Sequence, residues 1–274
     1  MNLLEVRLFG GVGVRLNGNP TRPFPTRWAE GLLAYLAINK GHPIHRDVLA
    51  ARFWPEDPDQ RARKGLRNAL WRVRAIIEPE GTPTGTFLSV AGRKVCLLKE
   101  GVWLDVEEFD GRMALLRREV EEGARLANLE ACVELYRGDF MDGHDHEWCV
   151  YERERLRMAH LAALEHLLAW NMERGDWQQA ILAGKEILNR DPFREHVHRC
   201  LMICHQLMGD RPLAIRQFRE CARILDEEMG LAPMEATRLL YREIMTETLR
   251  RGSAEAPLPT APGLHWTGGQ PLHY

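Results

Sequence analysis

The sequence predicts a mainly α-helical fold with a small β component, organised as two domains. Three observations point there. Apolar residues recur at helical spacing through most of the chain, the helix between Gln60 and Glu78 has an almost wholly cationic polar face, and a six-residue pattern returns after 34 residues. With 274 residues, 45% of them hydrophobic, the chain can build two ordinary cores.

The first domain is expected over residues 1–104. Short strands over 3–9 and 12–16 open it, with Gly10-Gly11 and Asn17-Gly18-Asn19-Pro20 supplying turns. Trp28, Leu32 and Leu36 mark a helix over 27–39, which Gly41 and Pro43 stop. A second, short helix over 45–53 closes at Trp54-Pro55. The acidic loop Glu56-Asp57-Pro58-Asp59 then leads into the third helix, placing carboxylates near its positive end.

That third helix reads QRARKGLRNALWRVRAIIE. Ala62, Leu66, Ala69, Leu70, Val73 and Ile77 gather on one stripe, while Arg61, Lys64, Asn68, Trp71 and Arg72 point the other way. Guanidinium groups grip guanine or phosphate bidentately and Asn68 can grip adenine, so these side chains suit reading of the major groove. A solvated basic helix is the plainer reading of the stretch in isolation. Its context favours the groove: residues 86–90 and 95–98 form a hairpin whose turn, Ala91-Gly92-Arg93-Lys94, is basic. Three helices and a hairpin, with strands ahead, compose a winged helix-turn-helix in which the third helix takes the groove and the wing meets phosphate. The candidate DNA-binding set is Arg61, Lys64, Arg67, Asn68, Trp71, Arg72, Arg93 and Lys94.

Residues 105–250 read as wholly helical. Gly175-Asp176-Trp177-x-x-Ala180 recurs as Gly209-Asp210-Arg211-x-x-Ala214, an offset of 34. This is the tetratricopeptide period, in which each helix pair leaves an apolar face for the next to cover. Glycine ends one helix, Asp176 or Asp210 caps the next, and the small alanine lets helices approach. Asp191-Pro192, Pro212, and Gly230 with Pro233 fall where hairpins need breaks. Residues 147–174 carry apolar side chains on more than one stripe, as a helix between neighbours requires. The tail, 251–274, has the composition of a disordered end.

Charge divides along the same line. Residues 1–104 hold 16 Lys and Arg against 9 Asp and Glu, a net +7, and the remainder holds 21 against 30, a net −9. A basic part followed by an acidic part fits a nucleic-acid module joined to a partner-binding module. No secretory leader or membrane-spanning run is read. The six cysteines (Cys96, Cys132, Cys149, Cys200, Cys204, Cys221) contain no Cys-x-x-Cys pair, which favours free thiols in a reducing compartment.

Other chemistries are poorly served. His196, Cys200 and Cys204 lie at four-residue spacing on one helix, with His198 and His205 near, but Cys200 and Cys204 also occupy a packing stripe, so no metal is expected. His144, Asp145, His146 and Glu147 read as a loop and helix start rich in capping acids. Gly10-Gly11-x-Gly13 is too short for a phosphate loop and lies between strands. With no nucleophile-elbow or metalloprotease motif either, neither an enzyme nor a cofactor is expected.

Over roughly residues 3–250 the chain resembles the antibiotic-regulatory-protein type of bacterial transcriptional activator, a winged helix joined to a bacterial transcriptional activator domain. The stretches that carry the likeness are LLAYLAINKGHPIHRDVLAARFWPED and LRNALWRVR, then LYRGDFMDG, HEWCVYERERL, GDWQQAI, NRDPFREHVHRCLM, GDRPLAIRQF and LDEEMGLAP. The resemblance implies a cytoplasmic regulator that binds double-stranded promoter DNA, commonly as a homodimer on direct repeats, and recruits RNA polymerase holoenzyme. With no receiver or nucleotide-binding domain recognised, it implies one of the small members. Trp71 departs from the family pattern, at a position often filled by smaller or polar residues. Two rival readings stand beside this one: a tetratricopeptide-type adaptor whose winged domain serves protein contacts, and a metal- or ligand-sensing regulator.

Overall fold

The computed structural model describes residues 2–116 and 122–246. Among these residues the chain forms two compact units, one of residues 2–114 with 134–157 and the other of the remainder. The tail over 251–274 lies outside the described residues.

The first unit opens with β1 (Leu4–Arg7), β2 (Gly13–Leu16) and β3 (Asn19–Pro20), an antiparallel meander. Asn17 and Gly18 take φ of 51° and 79°, the left-handed pair that a tight hairpin turn requires, so Asn19 and Pro20 continue into a strand instead of ending at the turn. Strand β1 is shorter than the alternation suggests. The backbone N–H groups of Leu8 and Phe9 leave the sheet and donate to the Asp105 carboxylate at 2.9–3.1 Å. Asp105 is buried; burial pushes its carboxyl up, opposed by amide donors that include Val106 N.

Three helices follow: α1 (Arg27–Ile38), α2 (Arg46–Phe53) and α3 (Asp59–Ile77). Thr26 caps α1, accepting from Ala29 N. Between α1 and α2, β4 (Ile44–His45) joins β5 (Leu88–Ala91) and β6 (Lys94–Leu97) in a three-stranded wing of order β4-β6-β5. Next, β7 (Val102–Leu104) pairs in parallel with β1, Leu4 opposite Val102, and α4 (Asp105–Leu115) follows. Leu32, Leu36, Phe53, Val73, Ile77, Phe87 and Leu97 are all essentially buried. A winged helix-turn-helix is thus present, as the helix and hairpin pattern predicts.

The loop over 136–146 belongs to the same unit. Phe9 bridges Phe140, and His144 Nε2 lies 3.3 Å from Glu30 Oε2. His146 packs against Phe53 and Trp28, with ring centroids 5.1 and 5.4 Å away. The expected helix start does fall at Glu147, where the His146 carbonyl accepts from Cys149 N and Val150 N at 2.8 and 3.3 Å while the His144 and His146 side chains pack within the unit.

Helices α5 (Glu122–Leu135), α6 (Glu147–Arg174), α7 (Trp177–Arg190), α8 (Glu195–Leu207), α9 (Arg211–Met229) and α10 (Glu235–Thr246) follow among the described residues. In the second unit α7 packs on α8, α8 on α9, and α10 on both α8 and α9. The repeat performs as its residues predict. Gly175 and Gly209 take φ of 75° and 83°, Asp176 and Asp210 accept from Gln179 N and Leu213 N at 3.3 Å, and Ala180 and Ala214 are fully buried. Gly230, at φ 66°, closes α9 in a left-handed cap. Phe218 and Tyr241 stack with centroids 4.0 Å apart, fastening α9 to α10.

Candidate nucleic-acid interface

Helix α3 buries Ala62, Leu66, Ala69, Leu70, Val73, Ile76 and Ile77 and turns its charge outward. Asp59 sits in its first turn and Asp57 lies 3.5 Å from Arg61, so carboxylates flank the positive end. Gly65 stands inside the unbroken helix for a steric reason: a Cβ there would meet Trp54 Cε2 at 2.8 Å. Trp54 in turn packs on Trp28 at 5.4 Å, which wedges the loop before α3 against α1.

The eight expected DNA-binding residues fall into three groups. Arg61, Lys64, Arg67, Asn68 and Trp71 are exposed on α3, Trp71 to 71%. Arg93 and Lys94 are exposed at the wing turn, where Gly92 takes φ of 58°. Arg72 differs. It is half-buried, and its Nη1 donates to Thr26 Oγ1 at 3.2 Å, so it ties α3 to the start of α1 instead of facing fully outward.

Two cations outside that set lie in the same place. Arg46, Asp47, Arg63, Leu66, Arg67 and Arg93 line a cleft of about 250 Å³ between α2, α3 and the wing. Arg46 is brought there because its backbone N–H donates to the Arg93 carbonyl at 2.8 Å, joining the start of α2 to the wing. Arg63 pairs with Asp47 at 3.1 Å, leaving one carboxylate in the cleft against four guanidinium groups. Such a cleft is chemically fitted to an oxyanion, because planar forks can share its oxygens bidentately. Arg63 could have been found from helical spacing alone, since it adjoins Arg67 on the next turn; Arg46 carries no such signal.

In the second unit the His196, Cys200 and Cys204 row does not converge. His196 Nε2 faces Glu165 Oε1 at 2.9 Å, whereas Cys200 and Cys204 are buried in the core cluster with Leu201, Val197 and Ile187. Burial pushes the two thiols up to about 11 and about 12. His198 is spent between the Pro192 carbonyl at 3.0 Å and Gln217 at 2.7 Å. Among the described residues no group of three or more His, Cys, Asp or Glu is arranged to hold a metal ion, and no helix is long and apolar enough to cross a membrane.

A winged helix with a cationic third helix, followed along the chain by helical hairpins, defines the class of protein. The family is given by comparison: residues 104–245 match the bacterial transcriptional activator domain, and the chain belongs to that family. It is similar to the transcriptional regulator RedD of Streptomyces coelicolor, 26% identical over 229 residues, covering 79% of this chain and 63% of RedD. It is also similar to the regulatory protein AfsR of the same organism, 24% identical over 221 residues, covering 79% of this chain and 22% of AfsR. With the transcriptional regulatory protein EmbR of Mycobacterium tuberculosis it shares 24% identity over 259 residues, 89% of this chain and 64% of EmbR. These are antibiotic-regulatory-protein-type regulators, as the sequence motifs imply, and this chain spans less than two thirds of each. A solved structure of Mycobacterium tuberculosis EmbR in complex with a low affinity phosphopeptide matches with a TM-score of 0.66 at 21% identity, over 90% of this chain and 66% of that one. That likeness is one of fold.

Proposed function

We propose that this protein is a sequence-specific DNA-binding transcriptional activator. In this reading α3 enters the major groove of promoter DNA and the wing lies on the adjacent backbone. Residues 105–250 order a homodimer on direct repeats and contact RNA polymerase holoenzyme, with residues 1–104 as the DNA module. It acts in the cytoplasm, without catalysis or cofactor, through binding energy alone. The observation that carries the reading is the exposed face of α3, where Lys64, Arg67 and Asn68 stand beside a cleft holding Arg46, Arg63 and Arg93. Its cations supply the phosphate affinity and its Asn and Arg side chains the base-edge hydrogen bonds. Similarity to RedD and EmbR, both described as transcriptional regulators, supports the assignment.

The test is a footprint on the DNA upstream of the protein's own transcription unit, with competition between that DNA and random duplex. Protection of paired sites that random duplex competes poorly is the expected result; equal competition overturns the reading. Transcription from the protected promoter with purified polymerase holoenzyme should rise with occupancy. A fall would assign repression instead.

A further inference from the structure

The exposed face of α3 is centred on an aromatic residue. At about 100° of rotation per residue, the seven buried side chains of α3 average to one direction, and Lys64 and Trp71 lie within about 20° of its opposite. Arg67 and Asn68 flank that line on either side, and Arg61, Arg63 and Arg72 lie further round. Two turns separate Lys64 from Trp71, so both face whatever α3 docks against, with Arg67 and Asn68 between them. A lone exposed apolar side chain elsewhere on a protein needs no explanation. Here a large ring, 71% exposed, stands at the middle of a face otherwise built of cations and an amide.

We infer that Trp71 is a specificity-determining residue that packs its indole ring on the C5-methyl group of a thymine in the major groove. The inference rests on the reading of α3 as a major-groove helix and adds to it the base and the atom. An indole face has no favourable contact with phosphate, and the groove floor offers one apolar group, the thymine methyl. The indole N–H is a single donor at the ring edge and could instead address the acceptors of guanine, which is the competing chemistry. The neighbours favour the methyl. Arg67 on the preceding turn already supplies a guanine-type fork and Asn68 an adenine-type one, and a Trp side chain has a single polar hydrogen against a whole apolar ring.

The experiment uses the full chain and the tightest duplex recovered by selection from a random-sequence pool. Each thymine of that duplex is replaced singly by deoxyuridine, which removes the methyl and keeps the pairing. Wild type is expected to lose about fourfold in affinity at one thymine per half-site, the transfer value of one apolar carbon. Trp71→Ala is expected to bind the thymine and deoxyuridine duplexes alike. Because the residue is exposed, the variant should keep the wild-type melting temperature, so a loss of discrimination is not a loss of fold. Indifference of wild type to every replacement overturns the inference, as does discrimination that survives in Trp71→Ala. Sensitivity to 7-deazaguanine that disappears in Trp71→Ala would overturn it in favour of the indole N–H. Failure to select any duplex over the random pool would instead remove the DNA-binding reading itself, and this inference with it.

Discussion

Arg74 Nε lies 3.2 Å from Glu78 Oε2 at the end of α3, and both side chains hold the strand that follows. Glu78 accepts from the backbone N–H groups of Gly85, Phe87 and Leu88 at 3.0, 2.8 and 2.8 Å, while Arg74 Nη2 donates to the Leu88 carbonyl at 3.0 Å. The end of the cationic helix and strand β5 of the wing are therefore one hydrogen-bonded piece. The Glu78 side chain is fully buried, so Glu78→Ala strands three amide donors and a guanidinium. A loss of about 3–5 kcal/mol is expected in urea unfolding, with a smaller loss for Glu78→Gln, which keeps one carbonyl acceptor. A loss below about 1 kcal/mol in Glu78→Ala would show that the wing is anchored elsewhere.

Arg93 and Lys94 at the wing turn should act on affinity and leave sequence preference alone, because a cationic tip suits phosphate. For Arg93→Ala with Lys94→Ala, binding should weaken on cognate and random duplex in the same proportion. The slope of log affinity against log salt should flatten by about 0.9 for each phosphate contact removed. An unchanged slope would place the tip in solvent. Arg63→Ala should behave likewise, and it also removes the guanidinium paired with Asp47.

What the sequence disclosed followed from local period. The α3 stripe was legible because Ala, Leu and Val recur at helical spacing among arginines, and the repeat because Gly, Asp and Ala return at fixed offsets. What it hid depends on partners far away along the chain. Residues 102–104 become a strand only because β1 lies beside them, and β3 and β4 are two residues each, too short to show alternation. Asp105 reads as the first turn of a helix, yet its carboxylate terminates β1 through Leu8 and Phe9. Arg72 shares the cationic spacing of its neighbours; only the position of Thr26 reveals that its guanidinium is partly committed. Arg46 enters the cleft through a backbone contact with the wing, which no periodicity encodes.

Ala214 is fully buried in a cluster with Met202, Leu240 and Ile244, where α8, α9 and α10 meet. Ala214→Leu should force these side chains apart and lower stability by about 1–3 kcal/mol. DNA affinity measured well below the melting temperature should stay close to wild type if the two units act separately in binding. A stable, normally folded Ala214→Leu protein would mean that this crossing has slack that the complete burial of Ala214 does not suggest.

His160 sets an expectation for acid. It is 1% exposed on α6, and burial, assisted by the Arg190 charge, pushes its imidazole down to about 3. The unfolded imidazole titrates near pH ~6.5, so below that value the unfolded chain binds a proton the folded chain refuses. The contribution of neutral His160 is complete above pH ~6.5 and declines by about 1.4 kcal/mol per pH unit as pH falls toward the folded value. His166, His198 and His205 are shifted in the same direction by burial, so the wild-type slope should exceed that of one group. His160→Phe keeps an aromatic ring in the site and cannot titrate. Urea unfolding from pH 7 to 4.5 should show the variant gaining on wild type as the solution is acidified, by about 2.5 kcal/mol across the range. Parallel pH profiles for the two proteins would mean that His160 becomes protonated in place, at a pKa near that of the unfolded chain.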